Sequence, residues 1–184
     1  MRIVAGRHRG RRLVAPEGLA VRPTADRTRE ALFNILGQGR GGPPPLEGAR
    51  VLDAFAGTGA LGLEARSRGA GFVTFMESQA AALAALERNI DSLSERAHAK
   101  ALRADVLRPP KAEAPADIVL MDPPYGQGLA EPALAALAQA GWIAADTIVV
   151  VELMAKEPFA APPDFTITDE RKYGKARLVF LALT

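Results

Sequence analysis

From Arg50 onward, short runs rich in β-branched and aliphatic residues alternate with longer stretches whose apolar positions recur at helical spacing. The runs predict strands at Arg50 to Ala54, Phe72 to Glu77, Lys100 to Arg103, Asp117 to Met121 and Thr147 to Leu153. Helices fit between them at Ala60 to Arg68, Gln79 to Ser94 and Leu129 to Ala140. Strictly alternating elements of this kind predict βαβ units and a largely parallel sheet. The end of the chain breaks the rhythm. Phe165 to Lys172 and Arg177 to Leu183 are strand-like and are separated only by Tyr173-Gly174-Lys175, a turn short enough to force an antiparallel pair.

The first 49 residues follow a different pattern. Arg2 to Ala5 and Arg11 to Ala15 flank a Gly6 to Gly10 turn and predict a small two-stranded ribbon, which needs other structure to lean on. Ala31-Leu32-Phe33-Asn34-Ile35-Leu36 predicts a helix, with Thr24 as its cap and Leu32, Ile35 and Leu36 on one face. Gly37 to Gly48 reads as an irregular glycine- and proline-rich connector. The expected organisation is therefore a ribbon, helix and connector over 1–49 followed by one α/β domain over 50–184.

Composition narrows the chemistry. A chain of 184 residues that is nearly half apolar buries one substantial core, and it is too short for two ordinary domains. It has no apolar run near the ~20 residues that span a bilayer, and no signal-like segment, so a soluble cytoplasmic protein without membrane partners is expected. It has no cysteine, which removes disulfides, thiolate metal ligands and thiol nucleophiles together. Two histidines, His8 and His98, are too few for a usual zinc site, so no metal is expected. The net charge of +2 conceals an asymmetry: Arg2, Arg7, Arg9, Arg11 and Arg12 all precede the first acidic residue, Glu17. Such a block suits a phosphate-contacting arm or, more blandly, a solvated terminus.

Two motifs fall at predicted strand ends. Asp53-Ala54-Phe55-Ala56-Gly57-Thr58-Gly59-Ala60-Leu61-Gly62 leaves the first strand and opens the first helix, where glycines permit a sharp turn and close approach of backbone to a ligand. Taken alone, Gly57-x-Gly59-x-x-Gly62 with Glu77 downstream also fits a dinucleotide fingerprint, so an NAD-binding oxidoreductase stays open. Asp122-Pro123-Pro124-Tyr125 ends the fourth strand. Its carboxylate and the Pro123 carbonyl can each accept one hydrogen from an amino group, two prolines stiffen the turn, and Tyr125 offers a stacking face. Gly126 and Gly128 leave room beside it.

These motifs carry a resemblance. The tetrapeptide resembles the Asn/Asp-Pro-Pro-Tyr/Phe motif of amino-group methyltransferases. Asp53, four positions ahead of Gly57, is similar to the first motif of S-adenosylmethionine-binding proteins, where the acid holds the methionine amino group. Five parallel strands closed by a hairpin are similar to the Rossmann-like seven-stranded methyltransferase sheet. The resemblance implies that Glu77 accepts the ribose hydroxyls and Asp105 faces the adenine amino group. Ala54, Phe55, Gly57, Gly59, Ser78 and Val106 complete the expected cofactor set, with Thr24 near the methionine end.

Arg2-Ile3-Val4-Ala5-Gly6, Gly10-Arg11-Arg12-Leu13, Arg22-Pro23-Thr24 with Arg27, and Arg29-Glu30-Ala31-Leu32-Phe33-Asn34-Ile35-Leu36 extend the likeness to the whole chain. Together with Asp122-Pro123-Pro124-Tyr125 they resemble the bacterial 16S ribosomal RNA guanine-N2 methyltransferase family. Many of its members carry phenylalanine where Tyr125 stands. Membership implies methyl transfer from S-adenosylmethionine to a guanine N2 of 16S rRNA, within the small subunit or its assembly intermediate; a monomer is expected because the sequence has no coiled-coil or obvious apolar interface segment. The absent thiol agrees, because methylation at pyrimidine C5 ordinarily uses a covalent thiol adduct. Adenine-N6 methylation of DNA is the same-chemistry alternative, since the tetrapeptide does not distinguish the two bases. A domain over 50–184 leaves no large target-reading module, which favours a substrate presented as a shape.

Overall fold

A computed structural model describes residues 1–16, 23–38 and 45–184, with backbone alone for 23–26. Helix α1 spans Pro23–Leu36, followed by β1 Arg50–Ala54, α2 Ala60–Ser67, β2 Phe72–Glu77, α3 Ala80–Ser92 and β3 Ala99–Arg103. The chain continues through β4 Ile118–Met121, α4 Ala130–Gln139, β5 Ile148–Met154, β6 Phe165–Tyr173 and β7 Ala176–Leu183. Every expected strand and helix of the α/β region is present, with ends displaced by a residue or two, as fraying termini allow.

The seven strands form one sheet in the order β3-β2-β1-β4-β5-β7-β6. The first five are parallel, and β7 runs antiparallel to both β5 and β6. The hairpin was legible, but β7 also inserts between β5 and β6. The two strands differ in polarity: β7 (Ala176–Leu183) is mostly buried on both faces, whereas β6 (Phe165–Tyr173) is mostly exposed and suits an edge. Gly174, at φ +60°, makes the tight turn between them.

Alternating side chains of the parallel strands feed two cores. On one face Val51, Val73, Phe75, Ile118, Leu120 and Val150 pack against α1, α2 and α3. On the other, Leu52, Ala54, Met76, Val119, Met121 and Val151 pack against α4 and Trp142.

The N-terminal segment joins the first core through Ile3, Leu13, Leu32, Phe33 and Leu36. The expected ribbon contracts to a single antiparallel bridge, Arg2 with Arg12, supported by Ile3 N–H to Arg11 O and Leu13 N–H to Met1 O. Gly10 N–H to Ile3 O adds a further bond across it, and other backbone groups of the segment bond to the helices. The Glu64 carboxylate of α2 accepts Val4 N–H at 2.7 Å and Ala5 N–H at 3.0 Å. Asn89 of α3 accepts Val14 N–H and donates to Val14 O. Helix α1 begins at Pro23, so Thr24 lies in its first turn rather than ahead of it, and the Thr24 side chain is outside the described residues. A proline at the first helical position loses nothing, because its missing N–H would have no intrahelical acceptor. The buried face of α1 is Thr28, Arg29, Leu32, Phe33 and Leu36; Ile35 is only half-buried. Of the Gly37 to Gly48 connector, residues 39–44 lie outside the described residues.

Candidate active site

Strands β1 and β4 are neighbours, but the chain leaves them toward opposite edges of the sheet. Such a reversal opens a crevice at the carboxyl ends of the strands, where open α/β sheets bind ligands. A cleft of about 390 Å³ lies there. Its walls bring together Phe55 and Gly57 after β1, Glu77 and Ser78 at the end of β2, Asp105 and Val106 after β3, and Asp122, Pro123, Pro124 and Tyr125 after β4. Met76, Gln79, Ala104, Leu107 and Leu129 complete the lining. Motif reading missed these because, Gln79 apart, their side chains are apolar; their position beside the strand ends was the available signal. Asp53, Ala54 and Gly59 are not part of the lining.

The loop after β1 divides its work among its residues. Phe55 holds φ +63°, a left-handed conformation costly for a bulky side chain, and Gly57 holds φ +54° with open space where a Cβ would stand. A ligand can therefore approach the Gly57 backbone. Gly59 and Gly62 serve packing: a Cβ would lie 2.4 Å from Leu86 Cδ1 at Gly59 and 2.3 Å from Phe75 Cε1 at Gly62. Asp53 is 1% exposed, and its Oδ2 accepts Gly62 N–H at 2.7 Å, a donor in the first turn of α2. Burial pushes its carboxyl well above the usual range; the Gly62 hydrogen bond opposes this, and the neighbouring charges of Asp122 and Glu77 add to it.

Glu77 ties the walls of the cleft together. Its Oε2 accepts Gly57 N–H at 2.8 Å and its Oε1 accepts Gln79 N–H at 2.7 Å. Each carboxylate oxygen retains a second lone pair for a ligand hydroxyl. Asp105 closes the turn after β3 through Leu107 N–H to Oδ1 at 3.0 Å, and its side chain stays 43% exposed.

Within the tetrapeptide Pro123 is buried, Asp122 and Pro124 are exposed, and Tyr125 is half-buried. Tyr125 O–H donates to Glu152 Oε1 at 3.2 Å. Gly126 N–H donates to Glu157 Oε1 at 2.9 Å, while Glu157 Oε2 accepts Met154 N–H at 3.3 Å. Glu152 of β5 and Glu157 just beyond that strand thus brace the loop. The tetrapeptide gives no hint of them; the signal was an acid interrupting the apolar Val149-Val150-Val151-Glu152-Leu153 run. Glu152 is 8% exposed. Burial raises its carboxyl above the usual range, against the opposing effects of the Tyr125 hydrogen bond and the Arg29 charge.

The early arginines lie apart from the cleft. Arg7 N–H donates to Ser67 O at the far end of α2 from the glycine loop, and eight helical residues separate the two ends by about 12 Å. All five arginines are exposed. Among the described residues, two of their side chains also make contacts: Arg7 with Glu95 at 3.6 Å, and Arg11 with Ser92 O at 2.6 Å. Arg2 and Arg9 border a shallow groove of about 320 Å³ with Arg27 and Glu30.

Comparison with known proteins agrees with this architecture. The chain matches the family described as Conserved hypothetical protein 95 over residues 1–182. It is 35% identical over 178 residues to the ribosomal RNA small subunit methyltransferase D of Haemophilus influenzae, covering 95% of this chain and 89% of that one. It is 38% identical over 153 residues to the Escherichia coli K12 protein of the same name, covering 83% and 74%. The solved structure of Escherichia coli yhhF superposes with a TM-score of 0.84 at 34% identity over 100% of this chain and 97% of that one. The shared sheet, the whole-chain identity and the family match lead to one conclusion: the chain belongs to the family of the ribosomal RNA small subunit methyltransferase D proteins, built on the class I methyltransferase fold.

Proposed function

We propose that the protein transfers a methyl group from S-adenosylmethionine to the exocyclic N2 of a guanine in the 16S rRNA of the small ribosomal subunit. The observation that carries this reading is one cleft lined by Glu77, Asp105 and the Asp122-Pro123-Pro124-Tyr125 turn. The names of the Haemophilus influenzae and Escherichia coli relatives support the rRNA target.

The cleft's donor set fits S-adenosylmethionine. Glu77 has lone pairs for both ribose hydroxyls, Asp105 is exposed enough to accept from an adenine amino group, and the open Gly57 backbone admits the chain between them. Asp53 acts through the loop: capping α2 from beneath, it holds the glycine turn against the cofactor's methionine end. Ala54, Gly59 and Thr24 are assigned to the same support. When bound, S-adenosylmethionine supplies an electrophilic methyl on a sulfonium.

The protein's task is to make a poor nucleophile attack. The lone pair of an exocyclic amino nitrogen is delocalised into the base, and attack requires that nitrogen to become tetrahedral. The Asp122 carboxylate and the Pro123 carbonyl each accept one N–H, which favours the tetrahedral geometry and directs the lone pair toward the donor. Pro123 and Pro124 fix both acceptors, and Tyr125 stacks on the base, a contact worth about 1–3 kcal/mol in nucleic-acid binders. The base reaches the cleft accessible or flipped out. Residues 1–49 serve as the RNA-facing extension of the catalytic unit 50–184, with Arg2, Arg7, Arg9, Arg11 and Arg12 contacting phosphates beyond the cleft.

The test incubates the purified protein with methyl-labelled S-adenosylmethionine and, in parallel, unmethylated small subunits, naked rRNA and duplex DNA, with Asp122→Ala as control. N2-methylguanosine arising chiefly from subunits and lost in Asp122→Ala is expected. N6-methyladenine in DNA would overturn the target, and full turnover by Asp122→Ala would overturn the mechanism.

A further inference from the structure

The register of β4 and β5 ends with Met121 beside Val151. Continuing that register by one residue pairs Asp122, which lines the cleft, with Glu152, which meets the cleft wall through its hydrogen bond with Tyr125. Val149, Val151 and Leu153 belong to the core under α4 and Val150 to the core under α1 and α2, so alternation turns Glu152 toward the α1 and α2 side. Leu120 belongs to that same core, so Asp122 emerges on the same side. The β4 and β5 ends therefore direct both acids to the same face of the sheet. Tyr125 O–H holds Glu152 by Oε1, which leaves Oε2 as an acceptor.

An ion buried without a use is costly, and well-packed apolar residues often replace buried charges with no loss of stability. A glutamate that ends a run of valines, 8% exposed and beneath a stacking tyrosine, calls for a ligand to justify it. The tetrapeptide cannot choose the base, because guanine and adenine both offer an amino group to Asp122 and Pro123. They differ at the neighbouring ring nitrogen: guanine N1 carries a hydrogen, whereas adenine N1 carries a lone pair. An ionised carboxylate only accepts, so it is satisfied by guanine and repelled by adenine.

We infer that Glu152 is the guanine-selecting residue of this site, its carboxylate accepting the target N1–H while neighbouring Asp122 accepts an N2–H. This rests on the guanine-N2 reading above and supplies the specificity that the Asp122-Pro123-Pro124-Tyr125 turn lacks. Burial raises the Glu152 carboxyl, and the Tyr125 hydrogen bond and the charge of Arg29 on α1 oppose that rise in favour of the ionised form.

The discriminating probe is 2-aminopurine, which keeps the 2-amino group and lacks the N1 hydrogen. Once the methylated nucleotide is mapped, small subunits are reconstituted with rRNA ligated to carry guanine or 2-aminopurine at that position. Methyl transfer to each is then measured for wild type, Glu152→Gln and Tyr125→Phe. Wild type is expected to favour guanine by about 10²- to 10⁴-fold, because 2-aminopurine leaves a buried carboxylate facing a lone pair. Glu152→Gln should bring the ratio to within about 10-fold, since an amide can donate as well as accept. Tyr125→Phe should slow both bases and keep the preference.

Equal wild-type rates on the two bases would overturn the proposal without reference to any variant. A Glu152→Gln enzyme that slows on both bases while keeping the wild-type ratio would also overturn it, reducing Glu152 to a support for Tyr125. Absence of N2-methylated product from wild type on guanine subunits would instead remove the underlying reading, a separate and recognisable result.

Discussion

Replacing Glu64 with alanine tests how the arginine-bearing N-terminal segment is attached to the catalytic unit. Glu64 is fully buried, and one carboxylate answers four groups: Val4 N–H at 2.7 Å, Ala5 N–H at 3.0 Å, Arg68 Nε at 2.7 Å and Arg29 Nε at 3.7 Å. Arg68 and Arg29 are themselves largely buried, with 13% and 4% side-chain exposure. Removing the acid takes the acceptor from two backbone donors and a buried carboxylate from beside Arg68 and Arg29. Breaking a buried pair from one side costs about 3–5 kcal/mol, and Glu64→Ala should fall in that range. Glu64→Gln keeps one carbonyl acceptor and should lose about 1–3 kcal/mol. In a chain of this length each kcal/mol shifts Tm by about 2–4 °C, so the alanine variant should melt about 6–20 °C lower. Urea denaturation measures the stability, and limited trypsin digestion reads the attachment, because Arg7, Arg9, Arg11 and Arg12 are cut once the segment lifts. An alanine variant within about 1 kcal/mol of wild type, with unchanged cleavage before Leu13, would refute the anchoring argument.

Other consequences follow from the same geometry. Glu77→Ala removes both the ribose acceptor and the clamp between Gly57 and Gln79, so titration calorimetry should find S-adenosylmethionine affinity lower by about 10- to 100-fold. Gly62→Ala should cost about 1–3 kcal/mol in urea denaturation, because its Cβ would lie 2.3 Å from the ring of fully buried Phe75 and alanine's better helix propensity offsets only part. Glu95 carries an acid-sensitive contribution. Burial would raise its carboxyl, but hydrogen bonds from His8 at 2.6 Å and Arg66 at 2.7 Å outweigh this and hold it below the usual range. A carboxyl depressed on folding stabilises above its unfolded value of about 4.3 and loses that contribution as pH falls through the folded value. Wild type should therefore lose more stability than Glu95→Gln between about pH 5 and pH 2, measured by urea denaturation; parallel curves would contradict the assignment.

Features that depend on neighbours along the chain were legible in the sequence. Apolar periodicity set the strands and helices from Arg50 to Leu183 to within a residue or two, because side-chain direction repeats every two residues in a strand and every 3.6 in a helix. Motif position at strand ends then brought Gly57, Glu77, Asp105 and Asp122 to one cleft, since parallel strands deliver all their carboxyl ends to the same edge. What only the tertiary structure decided involves partners distant in the chain. The Arg2 to Ala15 segment reads as a ribbon, and its two arms do bond to each other, but Glu64, Ser67 and Asn89 take other backbone groups of the segment and dock it on α2 and α3. Asp53 reads as a ligand acceptor from its motif alone, and the fold adds a second task, a hydrogen bond from Gly62 N–H to its Oδ2. Glu152 and Glu157 stand 27 and 31 positions beyond Tyr125 and Gly126, and they brace the tetrapeptide only because β5 lies against β4. Hydrogen bonds between segments that far apart are set by the sheet order, which local pattern does not encode.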